Sequence, residues 1–318
     1  MPLLRLPEVK VLLFLLLALA GMEGLSRCFE VRLSKDVKHI RSLPAVAATL
    51  RQAPKERLKV LIVGNSLSRD GLDKATLTAG LAKLTGREVE LAAMYPDGSN
   101  IHQWYYGYRR YFQQTGALPD LVLLGTARPH LLDGRSESDR LAAFYTSVAD
   151  MPQLLSQQQG DVEAISKALL ARSSMLFAHR GRVQPLVFYN LVPGYTETSQ
   201  TIGVVRDVAP VSDQPASDVP GESCDMLSAF LATLRTDQVR TLILAIPMTQ
   251  PYTLPACVQA SARAAQVPIL VAGETMHQTP AHFPDAYHLG PEGAVEYTRQ
   301  LLEKIAQSPG TLPIAPQH

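Results

Sequence analysis

The stretch Val60-Leu61-Ile62-Val63-Gly64-Asn65-Ser66-Leu67-Ser68-Arg69-Asp70 decides how the rest of the chain is read. Four apolar residues run unbroken into a glycine, and small amide and hydroxyl residues follow at once. Buried parallel strands are continuous Val/Ile/Leu runs, and in open α/β sheets ligands gather at the carboxyl ends of the strands. The run therefore predicts a buried strand that turns at Gly64 and places Ser66 at such an end. Arg69 to Leu84, apolar at Leu72, Ala75, Leu77, Leu81 and Leu84, has the spacing of a following helix. Ser66 then lies near a helix N-terminus, among free backbone N–H groups. An ordinary strand-to-helix turn capped by serines has the same signature.

Outward from this stretch the alternation repeats. Strands are expected at Glu88 to Met94, Leu118 to Gly125, Thr241 to Pro247 and Val267 to Ala272. Helices are expected at Ile101 to Phe112, Cys224 to Leu234, Pro255 to Ala264 and Gly290 to Ile305. Strands alternating with helices give an α/β class: a doubly wound, mainly parallel five-stranded sheet with helices on both faces. Into this pattern is set an insertion, 131–221. It reads as two helices, Arg140 to Leu155 and Val162 to Phe177, a short strand Leu186 to Leu191, and a polar loop Pro193 to Gly221. Long insertions between sheet elements carry function, so a cap or a partner surface is expected there. In the helix from Ile101, Trp104, Tyr105, Tyr108, Tyr111 and Phe112 fall at helical spacing. They either pack the helix on the sheet or offer rings to a sugar.

A second stretch bears chemistry: Phe283-Pro284-Asp285-Ala286-Tyr287-His288-Leu289-Gly290, just before the last helix. A serine hydroxyl is a weak nucleophile unless a base lies within hydrogen-bond reach and a third group orients that base. His288 can take and return a proton, and Asp285, three residues earlier, can come round one turn to hold its other ring nitrogen. His102, His130, His277 and His282 are further candidates without such a motif.

Gly64-Asn65-Ser66-Leu67-Ser68 and Asp285-Ala286-Tyr287-His288, in this order at opposite ends of an α/β pattern, resemble the SGNH (GDSL-type) hydrolase superfamily from about Lys59 to Ile305. The resemblance implies a flavodoxin-like SGNH fold with Ser66 as nucleophile, His288 as base and Asp285 as its partner. It implies the backbone amides of Ser66 and Gly98 as oxyanion donors, with Asn100 as a third. The sequence departs from the family twice. Asn65 stands where the family has aspartate, and the third block, Gly-x-Asn-Asp, is met by Ala127 and Arg128. Arg128 is either a substitute cationic donor or a strand-end arginine paired with a carboxylate.

The chain has 318 residues, 46% apolar and 19% charged, enough for a large core, and a net charge of +1 with scattered Lys and Arg excludes a nucleic-acid stripe. Arg5 and Lys10 precede an uninterrupted apolar run, Val11 to Met22, which reads as a signal peptide or membrane anchor within 1–28. Ala18-Leu19-Ala20 offers a cleavage site. Arg27, Arg32, Lys35, Lys38 and Arg41 beyond the run oppose simple export. Residues 29–58 read as a charged stalk leading into an SGNH-like domain, 59–310. If the domain is exported, Cys224 and Cys257 can bridge, leaving Cys28 near the membrane. No Cys/His spacing suggests zinc, and neither metal nor cofactor is expected.

The architecture is also similar to extracytoplasmic proteins that work beside membrane-bound O-acyltransferases on cell-envelope polysaccharides. The expected function is serine-dependent ester hydrolysis or O-acyl (acetyl) transfer through an acyl-enzyme, on an acylated or acyl-accepting glycan. A catalytically silent SGNH-like scaffold or glycan-binding component is the alternative.

Overall fold

The computed structural model describes residues 7–33, 35–134, 137–181 and 223–308, with positions 193, 194, 198, 310 and 312 besides. Five parallel strands form one sheet: β1 (Leu58–Val63), β2 (Val89–Met94), β3 (Leu121–Thr126), β4 (Arg240–Ala245) and β5 (Ile269–Val271), in the order β2-β1-β3-β4-β5. The α/β, doubly wound class follows directly from that order. The order reverses at β1, and the crevice between the carboxyl ends of β1 and β3 is where such sheets bind ligands.

Sheet register follows the apolar runs. Val60 pairs with Leu91 on one side and Leu121 on the other, and Val63 with Met94 and Leu124. All six residues of β3 are buried, as expected for a central strand covered on both faces. Leu58, Val60, Ile62, Leu121, Leu123, Leu242 and Leu244 lie in one apolar cluster with Leu77, Leu81, Tyr297, Leu301 and Ile305, which come from the helices Lys74–Thr85 and Pro291–Gln307. Each such side chain contributes about 1.5–3 kcal/mol when fully buried.

Contacts divide the chain into two compact units. One comprises Met1–Lys38, Glu137–Phe144 and Met151–Val219; the other, which holds the whole sheet, comprises His39–Ser136, Tyr145–Asp150 and Pro220–His318. Most of the stretch 29–58, expected as a charged stalk, is helical among the described residues. Lys35–Gln52 is a helix with Val37, Ile40, Leu43, Ala47 and Leu50 buried, a helical stripe hidden among charged residues. From His39 onward it belongs to the sheet unit, where the Tyr95 N–H donates to His39 Nε2 at 3.1 Å and the two rings stack.

Other boundaries also shift. The single helix expected from Arg69 to Leu84 is two, Ser66–Gly71 and Lys74–Thr85, because Asp73 caps the second by accepting from the Thr76 N–H at 2.8 Å. The helix expected at Arg140 to Leu155 breaks around Ser147, whose hydroxyl bonds the buried Asp150 carboxylate. The one expected at Val162 to Phe177 breaks at Ser174, which caps Met175–Ala178. The strand expected at Leu186 to Leu191 and, isolated positions aside, the loop from Pro193 to Gly221 lie outside the described residues. In the sheet unit, the aromatic side chains from Trp104 to Phe112 are buried, Trp104, Tyr106, Tyr108 and Phe112 completely. They pack the helix Ile101–Tyr108 and the π-helical turn Arg109–Gln113, and offer no ring to a sugar.

Cys224 and Cys257 are bonded, joining the start of the helix Asp225–Thr236 to Ala256–Ala265 across 33 residues of sequence. Closing a loop of that length in the unfolded chain is worth about 3–4 kcal/mol. Reduction, or Cys257→Ser, is expected to lower the melting temperature of the sheet unit by several degrees. An unchanged melting curve in excess reductant, with the thiols shown to be free, contradicts this.

Candidate active site

Gly64 sets the geometry of the first turn. A Cβ there would lie 2.0 Å from Ser68 Oγ and 2.8 Å from the Gly125 carbonyl oxygen. With hydrogen in its place, the Ser68 hydroxyl fits between β1 and β3 and donates to the Gly125 carbonyl at 2.8 Å. The helix Ser66–Gly71 therefore begins directly at the end of β1, and Ser66 is its first residue.

Asn65 caps this helix. Its side-chain oxygen accepts from the Leu67 N–H at 3.0 Å, and its Nδ2 donates to the Ser99 carbonyl at 3.2 Å. Ser99 returns the connection: its hydroxyl, in reach of the Gly64 carbonyl at 3.0 Å and the Pro96 carbonyl at 2.6 Å, also accepts from Trp104 Nε1 at 2.8 Å. Arg69, one turn beyond Ser66, pairs with Asp97, which precedes Gly98. The serine turn and the Tyr95–Asn100 loop are thus held as one piece, with Asn65 2% exposed and Ser99 fully buried. Asn65 and Ser99 were not singled out as site residues from the sequence. The available signal was an asparagine at a helix-capping position immediately before the serine.

The last loop brings in the remaining groups. The Asp285 carboxylate accepts from the Tyr287 N–H at 2.9 Å, the His288 N–H at 2.7 Å and His288 Nδ1 at 2.7 Å. The bond from the His288 ring, then the two backbone bonds, hold this carboxyl well below the ordinary carboxylate range. An ionised carboxylate only accepts, so Nδ1 carries a proton, and in the neutral ring Nε2, 3.0 Å from Ser66 Oγ, is the acceptor. Ala286, between the two, has φ +60°, a left-handed conformation that costs a non-glycine residue about 1–2 kcal/mol. The loop is fastened by the Thr249 hydroxyl, which donates to the Ala286 carbonyl at 3.0 Å.

Ser66, His288 and Asp285 therefore meet although 222 residues separate Ser66 from His288. Gly98 has φ +61°, and neither its N–H nor that of Ser66 donates a hydrogen bond among the described residues. The Asn100 side-chain oxygen is taken by the helix it starts, accepting from the His102 N–H at 3.1 Å, while the Asn100 N–H donates to Gln103 Oε1 at 3.0 Å. Ala127 is fully buried in the core. Arg128 opens a short 3-10 turn, Arg128–Leu131, and its side chain lies outside what is described. Of the other histidines, His102 is buried and His130 partly buried, and desolvation lowers the pKa of both rings. Neither is hydrogen-bonded to Ser66.

This arrangement brings together a hydroxyl, a base and an orienting carboxylate, and the backbone N–H groups of Ser66 and Gly98 have no partner among the described residues. It has the parts needed for acyl transfer to and from a serine.

No family model matches the chain, and no curated protein sequence matches it. Among solved structures it is similar to an acetylxylan esterase from Geobacillus stearothermophilus, at 10% identity and a TM-score of 0.38, over 84% of this chain and 100% of the other. It is similar to a GDSL-like lipase from Bacteroides thetaiotaomicron, at 12% identity and 0.39, over 85% and 97%. A third is LAE5, an α/β hydrolase from the metagenome of Lake Arreo, at 14% and 0.36, over 80% and 97%. At these identities and TM-scores they lend nothing to residue roles, which rest on the geometry above.

Asn65→Asp tests the tie between the two loops. A carboxylate at 65 can accept from Leu67 but cannot donate to the Ser99 carbonyl, and its charge is buried. The variant is expected to lose about 1–3 kcal/mol at neutral pH. The loss should shrink on acidification, as the carboxyl protonates and regains a donor. A pH-independent difference in denaturant midpoint between variant and parent contradicts the assignment.

Proposed function

We propose that this chain is a serine esterase or O-acyltransferase of the SGNH type, anchored outside the cytoplasm and acting on O-acyl groups, acetyl foremost, of a cell-envelope polysaccharide. The observation that carries the reading is the Ser66–His288–Asp285 alignment, at 3.0 Å and 2.7 Å. Support for the location comes from the helix Pro7–Arg32, long and apolar enough to cross a membrane, with a mean hydropathy of 1.9.

Ser66 Oγ attacks the acyl carbonyl carbon while its proton passes to His288 Nε2. Asp285 stays ionised and stabilises the imidazolium through Nδ1. The developing oxyanion is met by the N–H groups of Ser66 and Gly98, each such donor worth about 3–4 kcal/mol in the transition state. Collapse expels the sugar oxygen, which leaves with the proton from His288, and the acyl group stays on Ser66 as an ester. Water then attacks to give the acid, or a sugar hydroxyl attacks to give a transferred ester, with His288 again as base. The acyl-enzyme is common to both outcomes. A membrane-bound O-acyltransferase is the proposed partner where transfer is the physiological direction.

The buried Ala127, in the place of the family's asparagine donor, favours the second reading, a silent scaffold that binds glycan without turning it over. Turnover of 4-nitrophenyl acetate and of an acetylated glycan by the purified chain separates the two. Ser66→Ala and His288→Ala are each expected to lower kcat by about 10³-fold or more, and the double variant should be barely worse than either. Asp285→Asn is expected to cost up to about 10⁴-fold. Additive losses contradict the triad, and an inert parent chain that still binds glycan supports the scaffold.

A further inference from the structure

The first unit shows how the insertion is attached. Glu23 is the first charged residue past the apolar run, and its carboxylate accepts from the Ser174 hydroxyl at 2.8 Å, the Met175 N–H at 2.9 Å and the Leu176 N–H at 3.0 Å. One turn on, Arg27 Nη2 donates to the Ser173 carbonyl at 3.2 Å. Seven residues after Glu23, Glu30 lies 3.5 Å from the buried His179. Between Ser173 and His179 the insertion therefore runs along the N-terminal helix away from the apolar segment, over two turns or roughly 10 Å. Its turn at 173–176 faces the level where the apolar segment ends.

The helix Val162–Ser173 arrives at that level with its C-terminal end. Its last turns bury Ala168 and Ala171 while leaving Leu169 and Leu170 each 50% exposed. On the N-terminal helix Met22 and Leu25 are exposed at the same height, continuous with the exposed run Val11 to Leu19. An apolar edge at the height where a spanning helix meets water is suited to the headgroup boundary, where apolar side chains enter the outer acyl region.

We propose that the Leu169–Leu170 end of this helix is a membrane-seating surface, and that its partner is the lipid bilayer that takes the helix Pro7–Leu33. The proposal rests on the membrane-anchored reading above. It gives the insertion a role independent of the triad: the contacts at Glu23, Arg27 and Glu30 fix the angle at which the spanning helix leaves the bilayer, and the two leucines hold that angle from the lipid side.

The test uses the full chain with Cys28→Ser, reconstituted in vesicles of phosphatidylcholine with a minority of phosphatidylglycerol, and a nitroxide attached through Leu15→Cys, Leu170→Cys or Val162→Cys. Collision with oxygen reports lipid, and collision with a nickel chelate reports water. The expected result is lipid at 15 and 170 and water at 162, about 12 Å up the same helix. Water at 170 with lipid at 15 overturns the seating surface and leaves the anchor standing. Shielding of 170 from both reagents means that protein covers it, and also overturns the proposal. Water at 15 removes the anchor and the proposal together.

Discussion

The absence of a side chain at Gly64 is the constraint on which the site depends. With no side chain there, and none at Gly125, Ser68 reaches from the helix Ser66–Gly71 to the Gly125 carbonyl, which pins the start of that helix to the ends of β1 and β3. Once the helix starts at Ser66, the Asn65 side-chain oxygen caps it, and the Nδ2 of the same amide donates to the Ser99 carbonyl. The serine and the loop carrying Gly98 are then positioned by the same few atoms. Preorganisation of this kind matters because a donor displaced from a developing oxyanion loses most of its effect.

The other half of the site is held differently. Asp285 is half exposed, so its charge is screened and its interest lies in geometry rather than stability. Three N–H groups converge on one carboxylate within a four-residue turn, and Ala286 within that turn is left-handed. Strain at a residue between two proposed catalytic groups is maintained by its surroundings, here the Thr249 hydroxyl and the Ala286 N–H bond to the Phe283 carbonyl.

Much of this was legible because parallel strands leave a strong trace. The runs at Val60, Leu121 and Thr241 had the right type and order, and β5 was recognisable although its paired part is only three residues. The site residues were legible through short motifs whose side chains act locally, Asp285 and His288 three residues apart. What sequence hid was mostly polar and non-local. Lys35–Gln52 looked like a stalk because its charged residues mask a stripe of Ile40, Leu43, Ala47 and Leu50. The break at Leu72–Asp73 depends on a cap, and a cap competes with helix continuation by only about 1 kcal/mol. The grouping of the insertion with the N-terminal helix, through Glu23 and Arg27, could not be read from sequence because the partners lie about 150 positions away.

The central claim is that Ser66 is a nucleophile activated by His288. A fluorophosphonate tests it most directly, since attack by Ser66 Oγ forms a P–O bond and expels fluoride without needing the right glycan or acyl group. Intact-mass measurement and peptide mapping of the labelled chain should place one adduct on Ser66, slowed strongly by His288→Ala and absent in Ser66→Ala. Labelling at the parent's rate in His288→Ala, or no adduct on Ser66 in the folded parent, would contradict the account.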